Sequence, residues 1–408
     1  MSFAASVVRK HTAVVPSSET VLMLACSRLE MRAEDWIHAE SALQRGVNWD
    51  VLLSSARFHG VIGFLHKHLS VEFSKRIPVG TMATLTAAAA ATARRNLRLS
   101  AELIALLRLF ADHRIPVLPL KGPVLAEFIY GSVGLRRMND LDFLFKEANV
   151  SRVIALLQTR GYEDEFPLPP ALEDLDRRHN HHLGLVSRQR GYLVELHYCL
   201  VGQRSTRYGL DTILPRTQPA CFMGTPIVTM SPEDLLVYMC EHGSNHVWYR
   251  IEWLCGIAEL LRSGRIQNWD RVIGFANEFK GQRRLRASLR IARDLLDAPV
   301  PEEMLVVDPK SERPAHSVIV RLLRNPGSRA TPMERFLYLL ATDGGDLRTV
   351  LQRCWIGIIT PRASDIQWLP LPRRLWLAYY CVRPLRLLIR ACRRGLNEPR
   401  DSHVNGCI

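Results

Sequence analysis

Three acidic residues carry the most specific chemical signal in the chain. Asp140 and Asp142 stand in the run DLDFLF, and Glu195 stands in YLVELHY. If both runs are strands, residues two apart share a face, so the two aspartates point the same way with Cα atoms roughly 6.5 Å apart at ~3.3 Å per residue. Glu195 lies between Val194 and Leu196 and presents its carboxylate from one face while those neighbours turn to the other. Carboxylates converging on one face repel unless cations neutralise them, and hard oxygen ligands select Mg²⁺ or Mn²⁺. Two such ions roughly 3.5–4 Å apart activate an attacking oxygen and stabilise a leaving pyrophosphate. The plainer alternative for Asp-x-Asp is a strand edge or a turn. The apolar neighbours Leu141, Phe143, Leu144 and Phe145 weigh against it, because a buried carboxylate demands a partner.

Lys121-Gly122 is the second element. It ends the apolar run IPVLPL and precedes PVLAEFIY, a short helix opened by Pro123 and closed by Gly131. A strand that turns into a helix N-terminus offers free N–H groups to phosphate, and Lys121 adds a point charge. Arg136 and Arg137, just upstream of Asp140, are candidates for holding a triphosphate or balancing the carboxylates; simple solvent exposure is the alternative for Arg137. Among the histidines, His197 shares a strand face with Glu195, and His179, His181 and His182 precede that strand's hairpin. His182 and His197 read as hydrogen-bond donors in the site, in preference to a zinc centre that lacks further matched ligands. His242 and His246, four apart without the glutamate of HExxH, read as a helix face packed near the sheet.

These residues need a scaffold, and the patterning supplies one. From Arg32 to about Arg114 the sequence is helical: RAEDWIHAESALQRG stops at Gly46, NWDVLLSSARFHG starts from an Asn48 cap and stops at Gly60, and a long Ala-rich stretch follows. Ile115–Leu120 then reads as a buried strand, Asp140–Phe145 as a second, and VSRVIALLQTRG as an amphipathic helix. An acidic, proline-bearing loop runs from Glu163 to Asp176. HLGLVS and YLVELHY, joined by RQRG, read as a hairpin. Beyond about Leu210 helices return, the first with Ser231 as cap, Pro232 in the first turn and Asp234 as a third-position acid.

Composition limits the rest. At 408 residues, 47% hydrophobic and 23% charged, the chain is a globular protein with room for two or three packed units. Lys and Arg number 54 against 40 Asp and Glu, a net +14 that brings polyanionic partners into consideration. No apolar run reaches the roughly 20 residues of a membrane span. The N-terminal MSFAASVVRKHTAVVPSSE shows no signal-peptide pattern, so a cytoplasmic location is expected. Nine scattered cysteines without a CxxC pair read as reduced thiols.

The sequence resembles the uncharacterised nucleotidyltransferase family of bacterial proteins within the DNA polymerase β-like superfamily. The resemblance runs from about Val21 to Pro301 and rests on NWDVLLSSARFHGV, LPLKGPVLAEFIY, LRRMNDLDFLF, HHLGLV, VELHYCL, SPEDLLVYMCEH and WLCGIAELL. It implies a small palm with Asp140 and Asp142 as paired metal ligands, Glu195 as the third carboxylate and Arg136 as the family arginine. Lys121-Gly122 would stand where the wider superfamily has a Gly-Ser phosphate turn, and Gly256 stands where relatives carry an aspartate.

The C-terminal PRRLWLAYYCVRPLRLLIRACRRG mixes arginines with Leu, Trp and Tyr and is divided by Pro384. It reads as a helical hairpin with a solvated Arg face, with peripheral contact to an anionic membrane as the alternative. The expected architecture is α+β: a palm with a mixed sheet at 115–205, embedded between helical regions at 1–114 and 206–300, with a basic helical region at 301–408. The expected activity is Mg²⁺- or Mn²⁺-dependent transfer of a nucleoside monophosphate from an NTP to an acceptor that is a small molecule, peptide, protein or RNA. The competing expectation is a catalytically silent palm that binds nucleotide or RNA.

Overall fold

A computed structural model describes residues 15–165, 182–200, 208–305, 309–343, 347–361 and 363–396. Contacts divide the chain into a larger unit, Met1–Glu165 with His181–Asp346, and a smaller one, Phe166–Asn180 with Leu347–Ile408.

The larger unit opens with helices α1 (Ser18–Cys26), α2 (Ala33–Gln44), α3 (Trp49–His59), α4 (Ile62–Glu72) and the long α5 (Val79–Asp112). Asn48 caps α3 by accepting from the Val51 N–H at 3.2 Å, and Gly60 ends it in the left-handed conformation, as the sequence pattern requires. Helix α1 is an addition to that pattern. Residues Thr20 to Cys26 are all buried, so it has no polar face to generate a helical period.

Strand β1 (Val117–Pro119), helix α6 (Gly122–Tyr130), β2 (Asp140–Phe145), α7 (Val150–Thr159), β3 (Glu163–Asp164), β4 (His182–Ser187) and β5 (Tyr192–His197) follow. They build a five-stranded mixed sheet in the order β1-β2-β5-β4-β3, in which only β2 and β5 are parallel. The loop expected from Glu163 begins instead with β3, which pairs with β4; most of its remainder lies outside the described residues. Helix α5 covers one face of the sheet, where Phe110 meets Phe143 and Phe145 edge-on at 5.6 and 5.0 Å. Leu141, Val194 and Leu196 are buried on the same side, so strand alternation leaves the acids on the other.

After a short α8 (Leu210–Ile213), the expected return to helices is preceded by a second sheet, the hairpin β6 (Thr217–Phe222) and β7 (Thr225–Met230). Met223 and Gly224 form its two-residue turn, both with positive φ (45° and 77°), the requirement of a type I′ turn. Pro219 and Pro226 hide this ribbon from pattern reading, yet a two-stranded ribbon has only edge strands, where proline is tolerated. Helices α9 (Pro232–Asn245), α10 (Ile251–Arg262), α11 (Trp269–Glu278), α12 (Gln282–Leu296), α13 (Pro309–Arg324) and α14 (Pro332–Thr342) complete the unit. Ser231 caps α9 by accepting from the Asp234 N–H at 3.2 Å. Buried Arg284 of α12 ties Glu241 of α9 to Asp343 beyond α14. Tyr338 of α14 accepts from Trp248 Nε1 at 3.0 Å.

The smaller unit holds α15 (Leu347–Ile359), α16 (Ala363–Trp368) and α17 (Tyr379–Leu396). Two of its arginines depart from the expected solvated face, while Arg374 and Arg390 are exposed. Arg383 and Arg386 are buried and both grip Asp365, at 3.1 and 2.7 Å, while Leu385 and Leu388 are 52% and 62% exposed. Pro384 lies inside α17 rather than dividing the segment. No helix among the described residues is long and apolar enough to cross a membrane.

Candidate active site

The parallel pairing of β2 and β5 places Asp142 directly beside Glu195 and Asp140 beside Leu193. Asp140, Asp142 and Glu195 each bring a carboxylate oxygen within 4.8 Å of the others. Asp142 is 2% exposed. Three acids so close need neutralising partners: one side chain supplies a positive charge and another a hydrogen bond. The Lys121 ammonium lies 2.8 Å from Asp142 Oδ1. His197 Nε2 lies 3.0 Å from the same oxygen and 3.2 Å from Glu195 Oε2.

The electrostatic consequences split the two aspartates. Burial and the neighbouring Asp142 charge push the Asp140 carboxyl up to about 7. Burial would raise Asp142 as well, but the ammonium of Lys121 and the His197 hydrogen bond hold it well below the usual carboxylate range. Burial disfavours charge on His197, yet its two carboxylate partners raise it above the ordinary imidazole value. Lys121 is likewise raised by the acids despite its burial. His182, cross-strand from His197 with ring centroids 5.0 Å apart, is driven down to about 3 by burial and the positive charges around it. His182 Nε2 lies 3.9 Å from Glu195 Oε1, so His182, Glu195 and His197 form a second group with metal-ligand spacing. His179 and His181 fall outside the described residues.

Local conformation explains how Lys121 arrives there. Gly122 has φ +66°, and a Cβ at that position would sit 3.4 Å from the Asp140 carbonyl oxygen. The turn therefore runs close against the start of β2 and delivers Lys121 to the acids as α6 begins. Asn96 of α5 donates to the carbonyls of Val133 and Arg136, both at 2.6 Å, and so fixes the segment entering β2. Arg136 is partly buried, its charge lowers Asp140, and its Nε is buried without a hydrogen-bond partner among the described residues. Arg137 is exposed and donates to Asn139 Oδ1 at 3.2 Å, in keeping with the solvent-facing alternative.

Sequence reasoning passed over Tyr238 and Arg250. Tyr238 is 5% exposed, and the Lys121 ammonium and all three carboxylates act on it electrostatically; Arg250 feels Asp140. A signal existed, because Tyr238 and His242 on α9 and His246 at its C-terminal cap recur every four residues. His242 and His246 also pack against Trp253, at 5.2 and 5.1 Å between ring centroids, as expected of a helix face near the sheet. At Gly256 a Cβ would approach Met239 Cε to 2.6 Å, so the volume of an aspartate side chain there is already filled.

The sequence model of a family described as "Uncharacterised nucleotidyltransferase" matches residues 45–297, more than half of the chain. The chain belongs to this family. The match spans α3 through α12 and so contains the whole described sheet and every residue of the acidic cluster. No curated protein and no solved structure matches the chain. Membership in a nucleotidyltransferase family implies transferase chemistry and an NTP substrate.

Proposed function

We propose that the protein transfers a nucleoside monophosphate from an NTP to a hydroxyl-bearing acceptor, on a sheet serving as a polymerase β-like palm. The observation that carries this reading is the trio of Asp140, Asp142 and Glu195 on one face of two parallel strands. The donor set is all carboxylate oxygen, which favours Mg²⁺ or Mn²⁺. Asp142 Oδ2 is buried without a hydrogen-bond partner among the described residues, an oxygen with a lone pair to give to a ligand. Asp140, Asp142 and Glu195 would hold the ions, whose chemistry is Lewis-acid polarisation of the reacting phosphate.

The chain's own groups do the remaining work. The N–H groups that open α6, the Lys121 ammonium and the Arg136 guanidinium bind the triphosphate, with Arg137 at the rim. His182 and His197 orient Glu195 and Asp142 through the contacts at 3.0–3.9 Å. The acceptor oxygen bonds to the α-phosphorus, the bond from that phosphorus to the bridging oxygen of pyrophosphate breaks, and the acceptor's proton passes to Glu195. Asp140→Asn and Asp142→Asn proteins that stay folded are expected to lose metal-dependent release of pyrophosphate from NTP. Unchanged turnover in both overturns the proposal.

One observation favours a second reading, a silent palm that binds nucleotide or RNA: the Lys121–Asp142 ion pair satisfies an acid without any metal. Calorimetry with each NTP and Mg²⁺, alongside a pyrophosphate assay, separates the two. Binding without turnover across candidate acceptors favours the silent palm.

A further inference from the structure

Four arginines outside the acidic cluster gather at a cleft of about 550 Å³ between α5 and the β4–β5 hairpin. Arg94, Arg95, Arg98, Gln189, Arg190 and Tyr192 line it. From Val79 to Ala101, α5 carries these three arginines and no acidic residue at all. A surface helix ordinarily intersperses both signs at i,i+4 spacing. Of the four, only Arg190 has a carboxylate partner among the described residues: its Nη1 donates at 2.9 Å to both oxygens of Glu102, the acid that stands four residues after Arg98. Arg95 donates to the carbonyls of Met138 and Asn139 at 3.2 and 3.3 Å, neutral acceptors that leave its charge unbalanced. Arg94 and Arg98 are exposed, one helical turn apart, and form no ion pair among the described residues. Three guanidiniums thus face one cleft, and among the described residues none of the three has a carboxylate partner.

The location relates this cleft to the acids without merging the two. Asn139, whose carbonyl Arg95 holds, immediately precedes Asp140, and Tyr192 immediately precedes Leu193, the partner of Asp140 across the parallel pair. The cleft therefore opens at the starting ends of β2 and β5. Strand alternation turns Tyr192 to the face opposite Glu195, so the cleft lies on the helix side and the carboxylates on the other. A ligand held by Arg94 and Arg98 reaches the acids only by passing round the end of the sheet, which calls for a flexible chain. Tyr192 is partly buried at the rim of the charged wall and offers a ring to a base.

We propose that this cleft binds the backbone of a single-stranded nucleic acid. Resting on the nucleotidyl-transfer reading above, such a strand is then the acceptor, anchored in the cleft while its end reaches the carboxylates.

Fluorescence anisotropy with a fluorescein-labelled RNA of about a dozen nucleotides tests the cleft without any NTP present. Between about 50 and 200 mM salt, three neutralised phosphates give a slope of about −2 in log K against log salt, at ~−0.7 per contact for single strands. In the Arg94→Gln, Arg98→Gln double variant the slope is expected to fall to about −0.7 and the affinity at least about tenfold. Both residues are exposed, and unchanged binding of Mg²⁺-ATP checks that the fold survives. Wild-type affinity and slope in that variant overturn the proposal. So does a length-matched inorganic polyphosphate that binds as tightly as the RNA, since the ring of Tyr192 would then contribute nothing. Asp140→Asn is expected to leave RNA binding intact; loss of RNA binding there assigns the strand to the acidic cluster and overturns the cleft. If RNA binds the cleft as predicted while no NTP turns over, the cleft stands and the transfer reading fails.

Discussion

Lys121 and Asp142 meet at 2.8 Å on a nearly dry face, and breaking such a pair by removing one partner costs about 3–5 kcal/mol. Lys121→Met is therefore expected to lower the metal-free stability by about that amount in urea titration. Added Mg²⁺ or Mn²⁺ should narrow the difference, because a bound cation replaces the lost charge. Asp140 predicts a pH dependence of definite sign. Its folded carboxyl keeps a proton up to about 7, whereas in the unfolded chain it titrates near 3.8. Folding takes up a proton between those values, so the contribution of Asp140 to stability is full below the lower one and is lost as pH rises through the upper. The buried imidazoles of His59 and His246, both lowered to about 4, act oppositely: folding loses stability as pH falls from 6.5 through that value. The clean measurement is the difference between wild type and Asp140→Asn, which isolates the falling slope from pH 4 to 7. Parallel profiles for the two proteins refute it.

At the scale of elements, the turn of the second hairpin offers a direct check. Met223 adopts φ 45° while 44% exposed, a conformation costing a side chain of this kind about 1–2 kcal/mol. Met223→Asn, which creates the Asn-Gly pair favoured in type I′ turns, is expected to stabilise the protein by about 1 kcal/mol, read as a raised melting temperature. The same hairpin marks the limit of sequence reading. The strands around Asp140 and Glu195 were legible because apolar runs, an isolated acid and the glycines at 122, 131 and 191 punctuate them. The ribbon at 217–230 was not, because two prolines and a methionine in the turn erase the usual marks. The convergence of three carboxylates was visible in residue parity. That Lys121 would sit on Asp142 was not, since it depends on Gly122 folding against the Asp140 carbonyl, a contact that no local pattern encodes. Tyr238, in α9, and Arg250, just before α10, arrive from about a hundred residues beyond Asp140, and only packing brings them there.

At the scale of the molecule, charge and cooperativity follow different boundaries. Residues 116–200 hold 10 Lys and Arg against 11 Asp and Glu, a net −1, so the excess of +14 belongs to the flanking helices and the C-terminal segment. Packing, by contrast, joins residues up to Asp346 into the larger unit. Val318, Leu322 and Tyr338, from α13 and α14, are buried in the same core as Leu285 and Leu289 of α12. A chain ended after residue 346 is expected to melt cooperatively and to bind Mg²⁺-ATP as the full chain does, whereas one ended after 300 exposes that core and aggregates. Equal behaviour of the two truncations in thermal melts contradicts this division. The ammonium against Asp142 also bears on the stoichiometry that the proposed metal site would have. If a bound cation displaces the Asp140 proton and His197 is neutral, three carboxylate charges against the one of Lys121 leave −2, which a single divalent cation cancels. A second cation would then find no anion left for it among these side chains and would have to come with a ligand that carries its own negative charge, as a triphosphate does.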